Sequence, residues 1–104
     1  MNASIFDVEK NISLVVSFSL NNWGKELVFD CLSDPEFRKP CKLLFTNCRQ
    51  LKWEFYDFPE TENEEADIIG FAQGKQKYME PAILTTDFFE VFIFYDEIFL
   101  LNEN

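Results

Sequence analysis

Apolar and polar residues alternate with a period of two along most of this chain. In residues 11–21, one side of the period is apolar throughout, at Ile12, Leu14, Val16, Phe18 and Leu20. The other side carries three serines and Val15. Alternate side chains of a strand lie on opposite faces, whereas an amphipathic helix needs apolar residues three and four apart. We therefore predict a half-buried strand whose apolar side chains share one face.

The same pattern predicts further strands over residues 26–32, 42–48, 51–57, 67–73, 81–86 and 88–95. Residues 98–101 either continue the last of these past a bulge at Asp96-Glu97 or form a separate edge strand. Turn-forming residues lie between the first four strands, including residues 21–24 and 47–50, so we expect these four strands to be antiparallel neighbours. We expect Gly70 to mark a bulge or a close approach of another chain segment, and residues 34–38 to allow one helical turn.

Seven or eight short strands with at most one helical turn predict an all-β fold, mainly an antiparallel β-sandwich or small barrel. The length of 104 residues suits a single domain over residues 1–104. Residues 88–95 are apolar on nearly both faces, so we place that strand inside the sheet rather than at its edge.

The acidic charge is concentrated in the second half of the chain. The formal net charge is −10, and residues 53–104 contain 13 acidic and two basic residues. Residues 57–67 (DFPETENEEAD) carry six carboxylates and no base. Such a field repels nucleic-acid phosphate and anionic lipid but attracts a basic protein. We expect no nucleic-acid or membrane partner, and the lack of a leader-like apolar segment at the start indicates a cytoplasmic protein.

The side-chain inventory does not favour catalysis. The chain has no histidine, which excludes nucleophiles activated by an imidazole. The number and spacing of its three cysteines fit neither a disulfide framework nor a zinc site, so we expect reduced thiols. Residues 70–75 (GFAQGK) have three residues between the glycines and Gln76 after the lysine, unlike a phosphate-binding loop. We predict a non-enzymatic protein with no catalytic residue, cofactor or metal. A divalent-cation site joining the acidic loop to Asp87 or Asp96 stays open as an alternative.

Two stretches, LLFTNCRQLKWEF (residues 43–55) and TTDFFEVFIFY (residues 85–95), resemble small uncharacterised bacterial β-proteins of the toxin-immunity type. The resemblance covers about a quarter of the chain and identifies no specific family. It implies a compact acidic domain that works by binding, with no functional residue carried over.

We interpret the chain as a protein–protein interaction module whose acidic surface binds a basic partner. Inhibition of that partner is one form that this function could take. Tyr56 and Phe58 are candidate aromatic anchors beside the charge. The candidate partner-binding residues are Asp57, Phe58, Glu60, Glu62, Glu64, Glu65 and Asp67, and we expect Glu80, Asp87 and Glu90 on the same face. The alternatives are a β-domain that binds a small molecule or metal, and a structural homodimer paired through an exposed strand edge.

Overall fold

The computed structural model describes residues 12–33, 38–56, 60 and 64–102. They form β1 (Leu14–Asn21), β2 (Glu26–Leu32), β3 (Pro40–Thr46), β4 (Gln50–Phe55), β5 (Ala66–Ala72), β6 (Ala82–Thr86), β7 (Phe89–Phe94) and β8 (Glu97–Asn102), with a short 3₁₀ turn at Asn22–Gly24. Among these residues, no helix is long and apolar enough to cross a membrane.

The eight strands form one antiparallel sheet in the order β4-β7-β6-β5-β1-β2-β3-β8, which is not closed into a barrel. The strand β5 joins its two halves. Ala66 and Asp67 pair with the start of β1, and from Ile68 onward β5 pairs with β6. The all-β prediction is thereby confirmed, with an open sheet in place of a closed barrel.

The core lies where the two halves of the sheet face each other. Phe29 of β2 is fully buried and stacks on Phe89 of β7, with 6.3 Å between ring centroids. Phe45 of β3 meets Tyr95 edge-on at 5.2 Å. The buried Tyr95 hydroxyl donates to the Gln73 carbonyl at 2.8 Å, so its polar atom is satisfied inside the fold. Aromatic burial of this extent explains why the Phe-rich chain folds.

The strand β1 departs from the predicted alternation. Val15 pairs with Cys31 and Ser17 with Asp30, so Val16 is an extra residue in a β-bulge. The bulge reverses the alternation: Val15 enters the core, whereas Val16 is 40% exposed. The prediction that Ile12, Leu14, Val16, Phe18 and Leu20 share one buried face is therefore wrong.

The predicted adjacency of the third and fourth strands is also wrong. β3 pairs with β2 and β8, whereas β4 pairs only with β7 among the described strands. The connection from β3 to β4 crosses from one half of the sheet to the other. Cys48 N donates to the Lys25 carbonyl next to β2 at 2.7 Å, and the following Arg49 N donates to the Phe94 carbonyl of β7 at 2.9 Å.

Three local predictions are resolved. β7 lies between β4 and β6, which confirms its interior position, and β8 is a separate edge strand against β3. The bulge expected at Gly70 is confirmed by a register shift between Ile68 and Gly70. The helical turn predicted at residues 34–38 lies largely outside the described residues, which include only its last position.

Candidate functional site

The described part of the acidic loop is held by its own backbone. Glu60 and Glu64 are both exposed, and the backbone N–H of Glu60 donates to a Glu64 carboxylate oxygen at 2.8 Å. Of the other candidates, Asp57, Phe58 and Glu62 lie outside the described residues. The bond holds the Glu64 carboxylate with a neutral donor, which does not itself offset the negative charge.

Glu65 differs from its neighbours because a cation contacts it. The Arg38 guanidinium donates through both terminal nitrogens to the two Glu65 carboxylate oxygens. This bidentate pair holds the pKa of Arg38 above its usual value. Glu65 therefore ties the loop to Arg38, two residues before β3, and that cation offsets its charge.

Asp67 and Asp87 lie side by side where β5 begins and β6 ends. The Asp67 N–H donates to Asp87 Oδ1 at 2.8 Å, and the Asp87 N–H donates to the Asp67 carbonyl at 3.1 Å. Both side chains are exposed. The structure thus brings Asp87 next to the predicted loop residue Asp67, as the sequence analysis expected.

A pair of carboxylates that face each other across two strands adds to this charge. Glu54 of β4 lies directly opposite Glu90 of β7, and the Thr85 hydroxyl donates to Glu90 at 3.0 Å. Like charges in directly opposed positions destabilise a sheet. Tyr56 is close by and 53% exposed; partial burial first, then the charges of Glu90 and Glu54, raise its pKa.

We call this surface the acidic end, defined as Glu54, Glu60, Glu64, Asp67, Asp87 and Glu90. Glu54 was not among the predicted site residues. Glu80 was predicted on this surface but lies elsewhere. That residue pairs with Lys75 in the turn before β6, with 3.8 Å between Nζ and Oε1. It is separated from Asp87 by the length of the five-residue β6, about 17 Å at 3.3 Å per residue.

An aromatic strip follows the free side of β4 and was not predicted. Phe18 of β1 stacks on Trp53 of β4 at 4.5 Å, and Trp53 stacks on Phe55 at 5.8 Å. Phe18 and Phe55 are each 40% exposed, and Leu20 is 47% exposed. We call Phe18, Trp53 and Phe55 the aromatic seam. In the sequence, the seam is visible only as the alternate apolar residues of β4. Whether those side chains are exposed depends on the order of the strands in the sheet, which the alternation does not give.

A shallow pocket lies at the opposite end of β4 from Tyr56. It has a volume of about 230 Å³ and is lined by Lys25, Asn47, Cys48, Arg49 and Tyr78. The Arg49 guanidinium lies 4.1 Å from the Tyr78 ring centroid, and the Tyr78 hydroxyl donates to the Asn47 carbonyl at 2.7 Å. This volume falls below the roughly 300–1,000 Å³ of typical ligand pockets.

The thiols are not activated for chemistry. None of the three cysteines forms a disulfide, and Cys31 and Cys41 are buried opposite each other on β2 and β3. The Cys41 thiol and burial raise the pKa of Cys31, and burial raises the pKa of Cys48 to about 11. A raised pKa disfavours the nucleophilic thiolate. Within the described ranges, no group of three or more acidic or cysteine side chains is placed to hold a metal ion.

The glycine-containing stretch over residues 70–75 serves packing. Gly70 lies next to the β5 bulge, and Gly74 has φ +70° with the Pro81 carbonyl oxygen 2.2 Å from where a Cβ would be. Only glycine tolerates that approach and that dihedral angle. The geometry is a strand end and turn, not the strand-to-helix loop that holds phosphate.

No protein-family model matches this chain, and no curated protein matches it. The function must therefore be argued from the geometry and charge of the acidic end and the aromatic seam.

Proposed function

We propose that this is a non-enzymatic protein–protein interaction domain whose acidic end binds a basic partner protein. One observation carries the proposal: within the described part of the chain, three carboxylates of the acidic end accept hydrogen bonds from neutral donors, and no ion pair is seen at them. Glu64, Asp87 and Glu90 accept hydrogen bonds from Glu60 N, Asp67 N and Thr85 Oγ1. Such bonds fix the carboxylates while leaving their charge to act on a partner.

An aromatic side chain provides an anchor within this charge. Tyr56 projects beside Glu54 and Glu90, and its backbone is fixed by donation from its N–H to the Phe88 carbonyl at 2.8 Å. Exposed tyrosines surrounded by charge are frequent hot spots of interfaces, because the ring is rigid and the hydroxyl can bond to the partner. A basic segment that packs on Tyr56 would relieve the repulsion between Glu54 and Glu90.

The resemblance to toxin-immunity proteins supports an inhibitory role. A domain that covers a basic surface with carboxylates can block the access of an anionic substrate to that surface. In this proposal the partner is a basic protein whose activity falls when the acidic end is bound.

The test is capture of partners from a lysate of the source organism with two charge variants of equal net charge. E60K/D67K reverses two exposed residues of the acidic end and keeps the Glu64 carboxylate as acceptor for residue 60. E80K/E97K reverses two exposed acids outside it. Each variant changes the net charge of −10 by four units, to −6.

We expect the wild type and E80K/E97K to retain a basic protein in about 0.1 M salt and to lose it in about 1 M salt, where the Debye length is about 3 Å. E60K/D67K should lose it at both concentrations. Equal retention by the two variants would show that the acidic end is not the contact. A folded wild-type sample that captures no basic protein would count against the function itself.

A further inference from the structure

The strand β4 has an edge that no described strand covers. It is one of the two end strands of the sheet, and its register with β7 is regular from Gln50 to Phe55. Tyr56 N bonds to β7, and backbone groups alternate in direction along a strand. The N–H and C=O groups of Leu51 and Trp53 therefore face away from β7. An edge of this kind is a template for another strand.

The side chains along this edge are self-complementary. Lys52 and Glu54 flank Trp53 symmetrically, and both are exposed on the outer face of β4. We propose that β4 pairs antiparallel with β4 of a second copy of this chain, on a twofold axis at Trp53. In that register Lys52 of each copy lies opposite Glu54 of the other, and Leu51 lies opposite Phe55.

The aromatic seam supports the same register. Trp53 and Phe55 point to the inner face, where Trp53 stacks on both Phe18 of β1 and Phe55, and Phe18 stays 40% exposed. Two copies joined at Trp53 bring their inner faces side by side, so each seam gains the neighbouring Leu51, Trp53 and Phe55 of the other. Exposed apolar side chains that cluster on one edge mark such an interface.

Charge also distinguishes this register from its neighbours. A twofold axis at Lys52 would place two lysines face to face, and an axis at Glu54 would place two glutamates face to face. The Trp53 axis alone of the three gives two opposite-charge contacts. It also places a lysine beside Glu54, whose neighbour across the strands within its own chain is the like-charged Glu90.

The other end strand, β8, lacks these properties. Its inward residues Ile98 and Leu100 are already buried, at 2% and 1% exposure. An antiparallel pair of β8 strands centred on Phe99 would set Glu97 against Leu101, a charge against an apolar side chain. The geometry therefore selects β4 rather than β8 as the self-pairing edge.

Sedimentation equilibrium of charge-reversal variants tests the inference. We expect a wild-type dimer, and about tenfold or more weaker dimerisation for K52E and for E54K, because each replaces both opposite-charge contacts by like-charge contacts. An equimolar mixture of K52E and E54K should dimerise with nearly wild-type affinity, since opposite charges face each other again. The double variant K52E/E54K should do the same on its own.

The mixture is specific to this register, because recovery requires position 52 to face position 54 across the axis. K75E serves as the matched control, since it makes the same charge change in an exposed turn outside β4 and should leave dimerisation unchanged. Circular dichroism verifies that each variant is folded. A monomeric wild type overturns the inference, as does a dimer unaffected by K52E and E54K, or a mixture that stays monomeric. The test does not depend on the partner proposed for the acidic end.

Discussion

The turn between β6 and β7 depends on one buried hydroxyl. Thr86 is fully buried, and its Oγ1 accepts hydrogen bonds from Phe88 N at 3.1 Å and Phe89 N at 3.0 Å. The same hydroxyl donates to the Phe89 carbonyl at 3.2 Å. This network closes the turn that carries Asp87 of the acidic end. Thr86→Val keeps the shape of the side chain and removes the hydroxyl.

The expected cost follows from the groups that lose their partner. An unsatisfied buried donor costs about 1–3 kcal/mol, and the Phe89 N–H is buried whereas the Phe88 N–H is only partly buried. We expect Thr86→Val to lower the free energy of unfolding by about 2–4 kcal/mol. For a domain of this size the melting temperature should fall by about 8 °C or more.

Urea unfolding of Thr86→Val and Thr86→Ser provides the measurement. Thr86→Ser retains the hydroxyl and loses one methyl group, which costs about 0.5–1.5 kcal/mol by analogy with other single-methyl deletions in cores. The valine variant should therefore be clearly less stable than the serine variant. If the two are equally stable, or if the valine variant is the more stable, the hydroxyl network does not hold the turn.

Two further predictions concern the far end of β6 and the turn that precedes it. Gly74→Ala should lower the melting temperature more than Gly24→Ala, because both glycines have positive φ but only Gly74 has backbone within 4 Å of a Cβ position; equal losses would contradict the contact with Pro81. The hydrogen bond from Lys77, at 2.8 Å, lowers the pKa of Asp96. The bond therefore stabilises the fold fully above the usual carboxyl pKa, and this stabilisation is lost as pH falls through the lowered pKa of Asp96. In unfolding titrations, the stability advantage of wild type over Asp96→Asn should shrink between about pH 5 and pH 2. A pH-independent difference would refute that coupling.

The strands were predictable because their signal is local. Alternation of apolar and polar residues and the turn residues between segments identified seven strands and left residues 98–101 as either a continuation or an eighth strand, with boundaries shifted by up to three residues. The interior position of β7 was also predictable, because a strand this apolar would be an aggregation hazard if one of its edges were left exposed. These properties depend on residues that are adjacent in sequence.

The bulge in β1 illustrates what local patterns leave open. Val15 and Val16 are both apolar, so the sequence fits either residue on the buried side. The choice is made by the partner strand, since Cys31 of β2 meets Val15 and Asp30 meets Ser17. The energetic difference between the two registers thus lies in contacts 13 or more residues apart, which a period-two pattern does not contain.

For the acidic end, the sequence likewise predicts the charge but not the positions of all its carboxylates in the fold. The charge of the second half was evident from the sequence, and Asp67 and Asp87 meet as expected. Glu80 was placed with them although it belongs to another turn, and Glu54 was missed. Proximity of carboxylates on different strands is fixed by sheet order and register, which the sequence leaves undetermined.

The acidic end and the self-pairing edge share β4 but use its side chains differently. In the proposed dimer, Lys52 of one copy offsets Glu54 of the other, so the charge left for a basic partner resides in Glu60, Glu64, Asp67, Asp87 and Glu90. Antiparallel pairing about Trp53 directs the two acidic ends in opposite directions along the joined strands. Charge reversal at Lys52 therefore acts on assembly, whereas charge reversal at Glu60 and Asp67 acts on partner capture. Because these changes fall on different parts of the surface, failure of one proposal would leave the other standing.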